Sequence, residues 1–337
     1  MTTKTLRAGL IGLGMMGRHH ARILRALEGV ELVAIADAQG DPHGAVPGIE
    51  VLPDVDALIA AGIDYAVVAV PTQFHRDVAL ALAAGGVHAL VEKPLAFDIG
   101  EAEEITAAYE TAGLVGAVGY IERYNPALQA MRKRIAEGQL GEIYQIVTRR
   151  QGAFPARIRD VGVVKDLATH DLDLTAWVAK SQFSSVAATS TRRSGRQDED
   201  MVSITGQLKD GTITNHLVNW LSPFKERVTV VTGEKGALIG DTLSADLTFH
   251  ANGETATNLW ESMASFRGVS EGDSITYALQ RKEPLVTEHE AFRDAVLGDA
   301  SNIVTMREGL HTVRTVEAVL ESAETEQSVA LGGSVRA

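Results

Sequence analysis

The feature that most constrains this chain is "LRAGLIGLGMMGRHHARIL" near its N-terminal end. A short apolar run, Leu6–Ile11, leads straight into Gly12, Gly14 and Gly17, and a helix-forming run follows. The spacing is GxGxxG. The three glycines differ in what they allow. Gly12 permits the tight turn, Gly14 lets a pyrophosphate approach the backbone, and Gly17 lets the helix pack on the strand. N–H groups at the helix start, around Met15 and Met16, then face the phosphates. Glycine is common here, 32 of 337 residues, so the strand before and the helix after are what give the spacing meaning. A second apolar run ends in "AIAD". Asp37 lies at the distance past Gly17 where an acid can bond an adenosine ribose. A carboxylate there accepts the 2′-hydroxyl of NAD and repels the 2′-phosphate of NADP. The following "AQGD" supplies no arginine to reverse that preference. NAD is the expected cofactor and NADP the less favoured one.

Candidate strands Leu6–Ile11, Glu31–Ala36, Tyr65–Val70, His88–Val91 and Leu114–Val118 alternate with helix-like segments such as "TQFHRDVALALAAG". Each strand run is apolar on both faces, as strands covered on both sides require. The order predicts an α/β Rossmann domain, a doubly wound parallel sheet, over residues 1–122. After Tyr120 the texture changes. "NPALQAMRKRIAEGQLG" reads as one helix stopped at Gly138. Longer alternating runs follow, among them "EIYQIVTRR", "MVSITGQL" and "ERVTVVTG". Lys209–Gly211 and Gly233–Gly236 read as hairpin turns. The chain then returns to helix in "EHEAFRDAVLG" and "MREGLHTVRTVEAVLESAE". Residues 123–337 are thus predicted to form an α+β domain for substrate binding and oligomerisation, an open, mostly antiparallel sheet with helices on one face. Its other face invites association, so a homodimer or homotetramer through the sheet is expected.

Composition removes several classes. A net charge of −13 is poorly suited to phosphate backbones, so no nucleic-acid partner is expected. The absence of cysteine excludes disulfides, thiol catalysis and thiolate metal sites. The histidines, including adjacent His19 and His20, show no metal-ligand spacing, so no metal is expected. No apolar run approaches the ~20 residues of a membrane span, and the first residues lack signal-peptide features. A cytoplasmic protein without membrane partners is the expectation.

Two further stretches carry chemistry. "HALVEKPLAFD" places Glu92, Lys93 and Pro94 just past a buried strand, where ligands gather in open α/β sheets. A lysine there would face the nicotinamide end of the cofactor, with Pro94 holding it extended. The plain alternative is a strand-terminal lysine reaching solvent. "VGVVKDLATHDLDL" places Asp166 and His170 four apart, on one side of a predicted helix. At about 100° per residue, Leu167, Leu174 and Val178 form an apolar stripe, with Asp166, His170 and Trp177 along its edge. The plain alternative is a surface pair worth ~0.3 kcal/mol.

"GLGMMG", "VAVPTQFH", "VEKPLA" and "KDLATHDLDL" occur in that order. With them the chain resembles, over nearly its whole length, the glucose-fructose oxidoreductase / inositol dehydrogenase family (Gfo/Idh/MocA). The resemblance implies a Rossmann domain, a second domain built on an open sheet, oxidation of a ring hydroxyl, and a reaction centre of Lys93, Asp166 and His170. The chain departs from the family in one place: many members carry a run of glycines before the aspartate, and "RDVGVVKD" has only Gly162. "GYIERYNPAL" and "GAFPARIRDVGVVKDLATHDLD" are similar to the branch that oxidises the 3-hydroxyl of UDP-N-acetylglucosamine. A sugar or nucleotide sugar is therefore the expected substrate. Inositol or a free hexose is the alternative, and a non-catalytic dinucleotide-binding sensor is a third reading, disfavoured by the intact trio.

The chemistry suits these residue types. Oxidising a secondary alcohol sends a hydride to the nicotinamide and releases the hydroxyl proton. Histidine, with a reference pKa of ~6.5, can take that proton near neutrality. Lysine can hydrogen-bond the hydroxyl and stabilise the developing alkoxide, and Asp166 can bind a neighbouring ring hydroxyl. His170 is the expected base with Lys93 as its partner, although the two could exchange roles. Thr72, His75 and Glu92 are expected beside the cofactor, His75 either at its ribose or simply starting a helix. Arg123 and Asn125, with Arg149, Arg157 and Arg159 around the loop before the catalytic helix, suit a sugar diphosphate or else a solvated surface. "RRSGRQDED", Arg192–Asp200, reads as an exposed connection. Asp173 reads as a solvated or helix-N-terminal charge, and Asp171 has no assigned role.

Overall fold

Short runs buried on both faces build the first sheet. The strands are β1 (Leu6–Ile11), β2 (Val30–Ala36), β3 (Val51–Leu52), β4 (Tyr65–Val68), β5 (His88–Glu92) and β6 (Gly116–Gly119). They lie in the order β3-β2-β1-β4-β5-β6, every pair parallel. Successive residues enter opposite cores: Val67 and Leu90 pack with Leu10, Leu24 and Ile35, whereas Val68 and Val91 pack with Leu82, Ile105 and Val118. The winding reverses between β1 and β4, the switch point at which such sheets bind ligands. The helices are α1 (Met15–Leu24), α2 (Val55–Ala60), α3 (His75–Ala84) and α4 (Ile99–Ala112). Asp54 and Asp98 cap α2 and α4 by accepting the Ala57 and Glu101 N–H groups. β3, two residues long, is too short to leave a pattern in the sequence. The computed structural model describes residues 5–42, 44–155, 161–253, 271–299 and 302–332.

The chain divides into two compact units, 1–124 with 283–317 and 125–282 with 318–337. The expected division assigned everything after residue 122 to the second domain. The structure instead returns α7 (Pro284–Val296) and most of α8 (Met306–Thr325) to the first unit. Phe292 meets Tyr65 edge-on with ring centroids 5.4 Å apart, and Met306, Leu310 and Val313 join the core around Val118. An amphipathic pattern says that a helix face will be buried, not which sheet will bury it.

The second unit holds a nine-stranded sheet of β7 (Ile143–Ala153), β8 (Phe183–Thr191), β9 (Met201–Leu208), β10 (Ile213–Asn219), β11 (Leu221–Gly233), β12 (Gly236–Asp241), β13 (Asp246–Asn252), β14 (Glu271–Thr276) and β15 (Val329–Ala330). The order is β14-β13-β12-β11-β7-β10-β9-β8-β15. Among the described residues, β7 and β10 pair in parallel and the other neighbours are antiparallel. The turns at Lys209–Gly211 and Gly233–Gly236 join antiparallel neighbours, as their residues predict. Helices α5 (Pro126–Ala136) and α6 (Thr169–Ala179) cover one face, Leu128, Met131, Trp177 and Val178 packing with Ile146, Val231 and Leu238. Tyr144 and Ile213 stay exposed. Among the described residues, no helix is long and apolar enough to cross a membrane.

Candidate active site

The glycine loop is built by close approaches. Gly12 has φ 93°, and a Cβ there would lie 2.6 Å from the Ala69 carbonyl oxygen. A Cβ on Gly17 would overlap the Gly12 carbonyl, whereas Gly14 faces open space. Gly14 is the N-cap of α1 and no side chain caps that helix. Its first N–H groups, around Met15 and Met16, therefore have no intrahelical partner and form a cradle for an anion. Asp37 Oδ2 accepts the Leu13 N–H at 2.6 Å, and Oδ1 accepts the Gln39 N–H at 2.7 Å. The acid thus ties the glycine loop to the end of β2, and its remaining lone pairs can still take a ribose hydroxyl. This set of donors and this acid fit a dinucleotide. Thr72 lies in a single 3-10 turn, Thr72–Phe74, after β4.

The Glu92–Lys93–Pro94 segment is anchored from behind. Glu92, expected at the cofactor, is buried; its Oε1 lies 2.8 Å from His20 Nε2, and its Oε2 accepts the Lys93 N–H at 3.2 Å. His20 Nδ1 lies 2.8 Å from His289 Nε2. Glu92 Oε1 accepts from His20 Nε2–H, and the two imidazole rings share one hydrogen bond. Burial alone would raise the Glu92 carboxyl, but the His20 and Lys93 contacts outweigh it and hold the group below the usual carboxylate range. Burial and then the charge of Glu92 push Glu288 well above that range, so the two buried carboxyls shift in opposite directions. His289 is held well below an ordinary histidine, by burial and then by His20. His75 lies with Nδ1 2.9 Å from the Pro94 oxygen and Nε2 3.0 Å from the Val70 oxygen. Burial lowers its pKa despite those carbonyls, and a neutral ring, with one N–H, donates to one of the two oxygens. Sequence reasoning missed His20. The signal was there: Gly17, His20, Ala21 and Leu24 form the buried stripe of α1.

Two expected substrate residues are engaged structurally. Arg123 is buried and its Nη1 donates to Glu308 Oε1 at 2.6 Å. Asn125 caps α5, its Oδ1 accepting the Ala127 N–H at 3.0 Å, while its Nδ2 donates to the Thr242 oxygen at 3.1 Å.

In the second unit Asp166 lies in a π-helical turn, Val164–Ala168, that runs directly into α6 and His170. Such turns are rare and concentrate at functional sites. The expected apolar stripe with a polar edge is corrected: every residue from Thr169 to Thr175 is buried. Asp171 ties α6 to the sheet. Its Oδ1 accepts Arg150 Nε–H at 2.7 Å, and its Oδ2 accepts the Thr148 hydroxyl at 3.0 Å. Thr148 in turn accepts from His216 Nδ1 at 2.8 Å. Asp173 is 1% exposed, not a solvated charge. Strand alternation turns Arg149 to the face opposite Thr148, Arg150 and α6, where it pairs with Glu226 at 2.8 Å. Arg157 and Arg159 lie outside the described residues. Arg192–Gly195 are exposed as expected, but Glu199 and Asp200 at the end of that connection are buried.

Burial pushes His216 down to about 3. In the unfolded chain the ring takes a proton near pH ~6.5, whereas in the fold it resists one until far lower. Acid therefore favours the unfolded chain, and stability falls as pH drops below that unfolded value. His216 alone should remove about 2 kcal/mol between pH 7 and pH 5. Urea unfolding at both pH values should show a smaller loss in His216→Asn. Equal losses in the two proteins would overturn the neutral, buried assignment.

The oxidoreductase family model of the NAD-binding Rossmann fold matches residues 6–120, and that of the family's C-terminal alpha/beta domain matches residues 132–331. The chain is 32% identical over 213 residues to the UDP-N-acetylglucosamine 3-dehydrogenase of Acidithiobacillus ferrooxidans, covering 62% of this chain and 66% of that protein. It is 29% identical over 192 residues to the scyllo-inositol 2-dehydrogenase (NAD(+)) of Bacillus subtilis, covering 54% of this chain and 56% of that one. The matched stretches thus span less than two thirds of either relative. The solved structure of the Acidithiobacillus enzyme superposes with a TM-score of 0.82 at 25% identity, covering 95% of this chain and 98% of that one.

Proposed function

The chain belongs to the Gfo/Idh/MocA oxidoreductase family, and from that membership we propose that it is an NAD-dependent dehydrogenase of a sugar or nucleotide sugar. The observation that carries the reading is the uncapped start of α1 at the switch point, with Asp37 at the end of β2. Gly12, Gly14, Gly17 and the N–H groups of Met15 and Met16 would hold the phosphates of NAD and Asp37 its ribose, and the bound nicotinamide would supply the hydride acceptor. The Asp37 carboxylate favours NAD over NADP. His170 takes the hydroxyl proton, Lys93 hydrogen-bonds the developing alkoxide, and Asp166 holds a neighbouring ring hydroxyl. Thr72 and His75 would meet the cofactor from the turn that follows β4. The first unit would serve the cofactor and the second the substrate, and copies would associate through the open sheet face that bears Ile213.

The likeness to the Acidithiobacillus enzyme makes the 3-hydroxyl of UDP-N-acetylglucosamine the preferred substrate position. A panel of UDP-N-acetylglucosamine, free N-acetylglucosamine, inositols and hexoses, read by NADH absorbance, tests it. Reduction of NAD by the nucleotide sugar and not by the free sugar is the expected result. Turnover of inositol or a hexose instead would move the substrate to that class. NAD binding with no turnover of any substrate would replace the enzyme reading by a sensor.

A further inference from the structure

We propose that Glu199 is a positioning residue for the helix that carries Asp166 and His170, an inference that rests on the catalytic reading of those two residues. The first N–H groups of a helix lack partners within it. Here the Val163 N–H donates to the Glu199 carbonyl oxygen at 2.9 Å, and the Val164 N–H donates to Glu199 Oε1 at 2.9 Å. A carboxylate at a helix start also faces the positive end of the helix dipole. Glu199 is 7% exposed and comes from a loop remote in sequence from this helix.

Gly162 completes the device. A Cβ on Gly162 would overlap the Glu199 carboxylate, and the Gly162 oxygen accepts the Asp166 N–H at 3.1 Å. The single glycine left in this chain's version of the family's glycine run is therefore required by close contact with Glu199. The loop itself is braced, because Arg196 donates to the Val161 oxygen at 3.1 Å and lies over the Phe154 ring, 4.4 Å from its centre. The cap acts on the entry to the π turn. A one-residue change of register there would rotate Asp166 by about 100°. Glu199 thus holds Asp166, and through it the start of α6, in the register the chemistry uses.

Steady-state kinetics and NADH fluorescence test this. Glu199→Ala should lower kcat about 10–100-fold, the scale of a catalytic group displaced by roughly an ångström, with NADH affinity unchanged. Glu199→Gln should recover most of the loss, since its amide oxygen still accepts the Val164 N–H. Wild-type kcat in Glu199→Ala, or no recovery in Glu199→Gln, would overturn the proposal. An inactive wild type would instead defeat the catalytic reading, and the contact is then tested by unfolding. Gly162→Ala should cost less stability in the Glu199→Ala background than in wild type, and strictly additive losses would refute the pairing.

Discussion

His170→Ala and Lys93→Met are each expected to lower turnover at least ~100-fold, the low end for a general acid–base group, without unfolding the protein. The structure supports the second half of that expectation. Helix α6 is held to the sheet by its neighbour Asp171, through Arg150 and Thr148, and these bonds do not involve the His170 ring. The Lys93 N–H is held by Glu92 Oε2, and the turn after it packs against His75, whose Nδ1 lies 2.9 Å from the Pro94 oxygen. Removing either side chain should therefore delete a proton-handling group and leave its scaffold. Turnover on the best substrate of the panel, with thermal unfolding as a control, decides it. Near-normal turnover in either variant would sink the assignment.

Arg150→Met should destabilise the fold strongly, by about 3–5 kcal/mol. The Asp171 carboxylate is 2% exposed and Arg150 4% exposed. Without the guanidinium, Asp171 keeps the Thr148 hydroxyl but loses this cationic partner, and a buried charge so placed is costly. Because His170 is the preceding residue, turnover should fall as well. Replacing both partners by apolar residues of similar volume should restore much of the stability. Urea denaturation measures it. A loss below about 1 kcal/mol, the range of an exposed pair, would show that water reaches Asp171.

Helix α6 shows why burial was hard to read. Asp173 reads in sequence as a solvated or helix-N-terminal charge and Asp171 has no evident role, yet both are buried. Apolar periodicity reports where oily side chains fall. It is silent on whether a strand brings an arginine and a threonine to meet the polar ones. The π turn escaped for a related reason, since its extra residue leaves no compositional mark and is stabilised here by Glu199 from outside the segment. Arg149 and Arg150 show the same limit: neighbours in sequence face opposite sides of a sheet, and Arg150 is the one that meets α6. His20 was partly legible, on the buried stripe of α1, but its partners Glu92 and His289 lie far along the chain.

By itself the sequence determined what depends on a few consecutive residues. The strand–glycine–helix start, the alternation that makes one sheet parallel, the hairpin turns and the extended run into Lys93 all follow from backbone sterics and side-chain period, which act locally. The tertiary structure alone decided which polar groups would be buried, and against what. A hydrogen bond needs its partners within about 3 Å and well aligned, and only the folded chain brings Glu199 to Val164, Arg150 to Asp171 and His20 to Glu92 at that range.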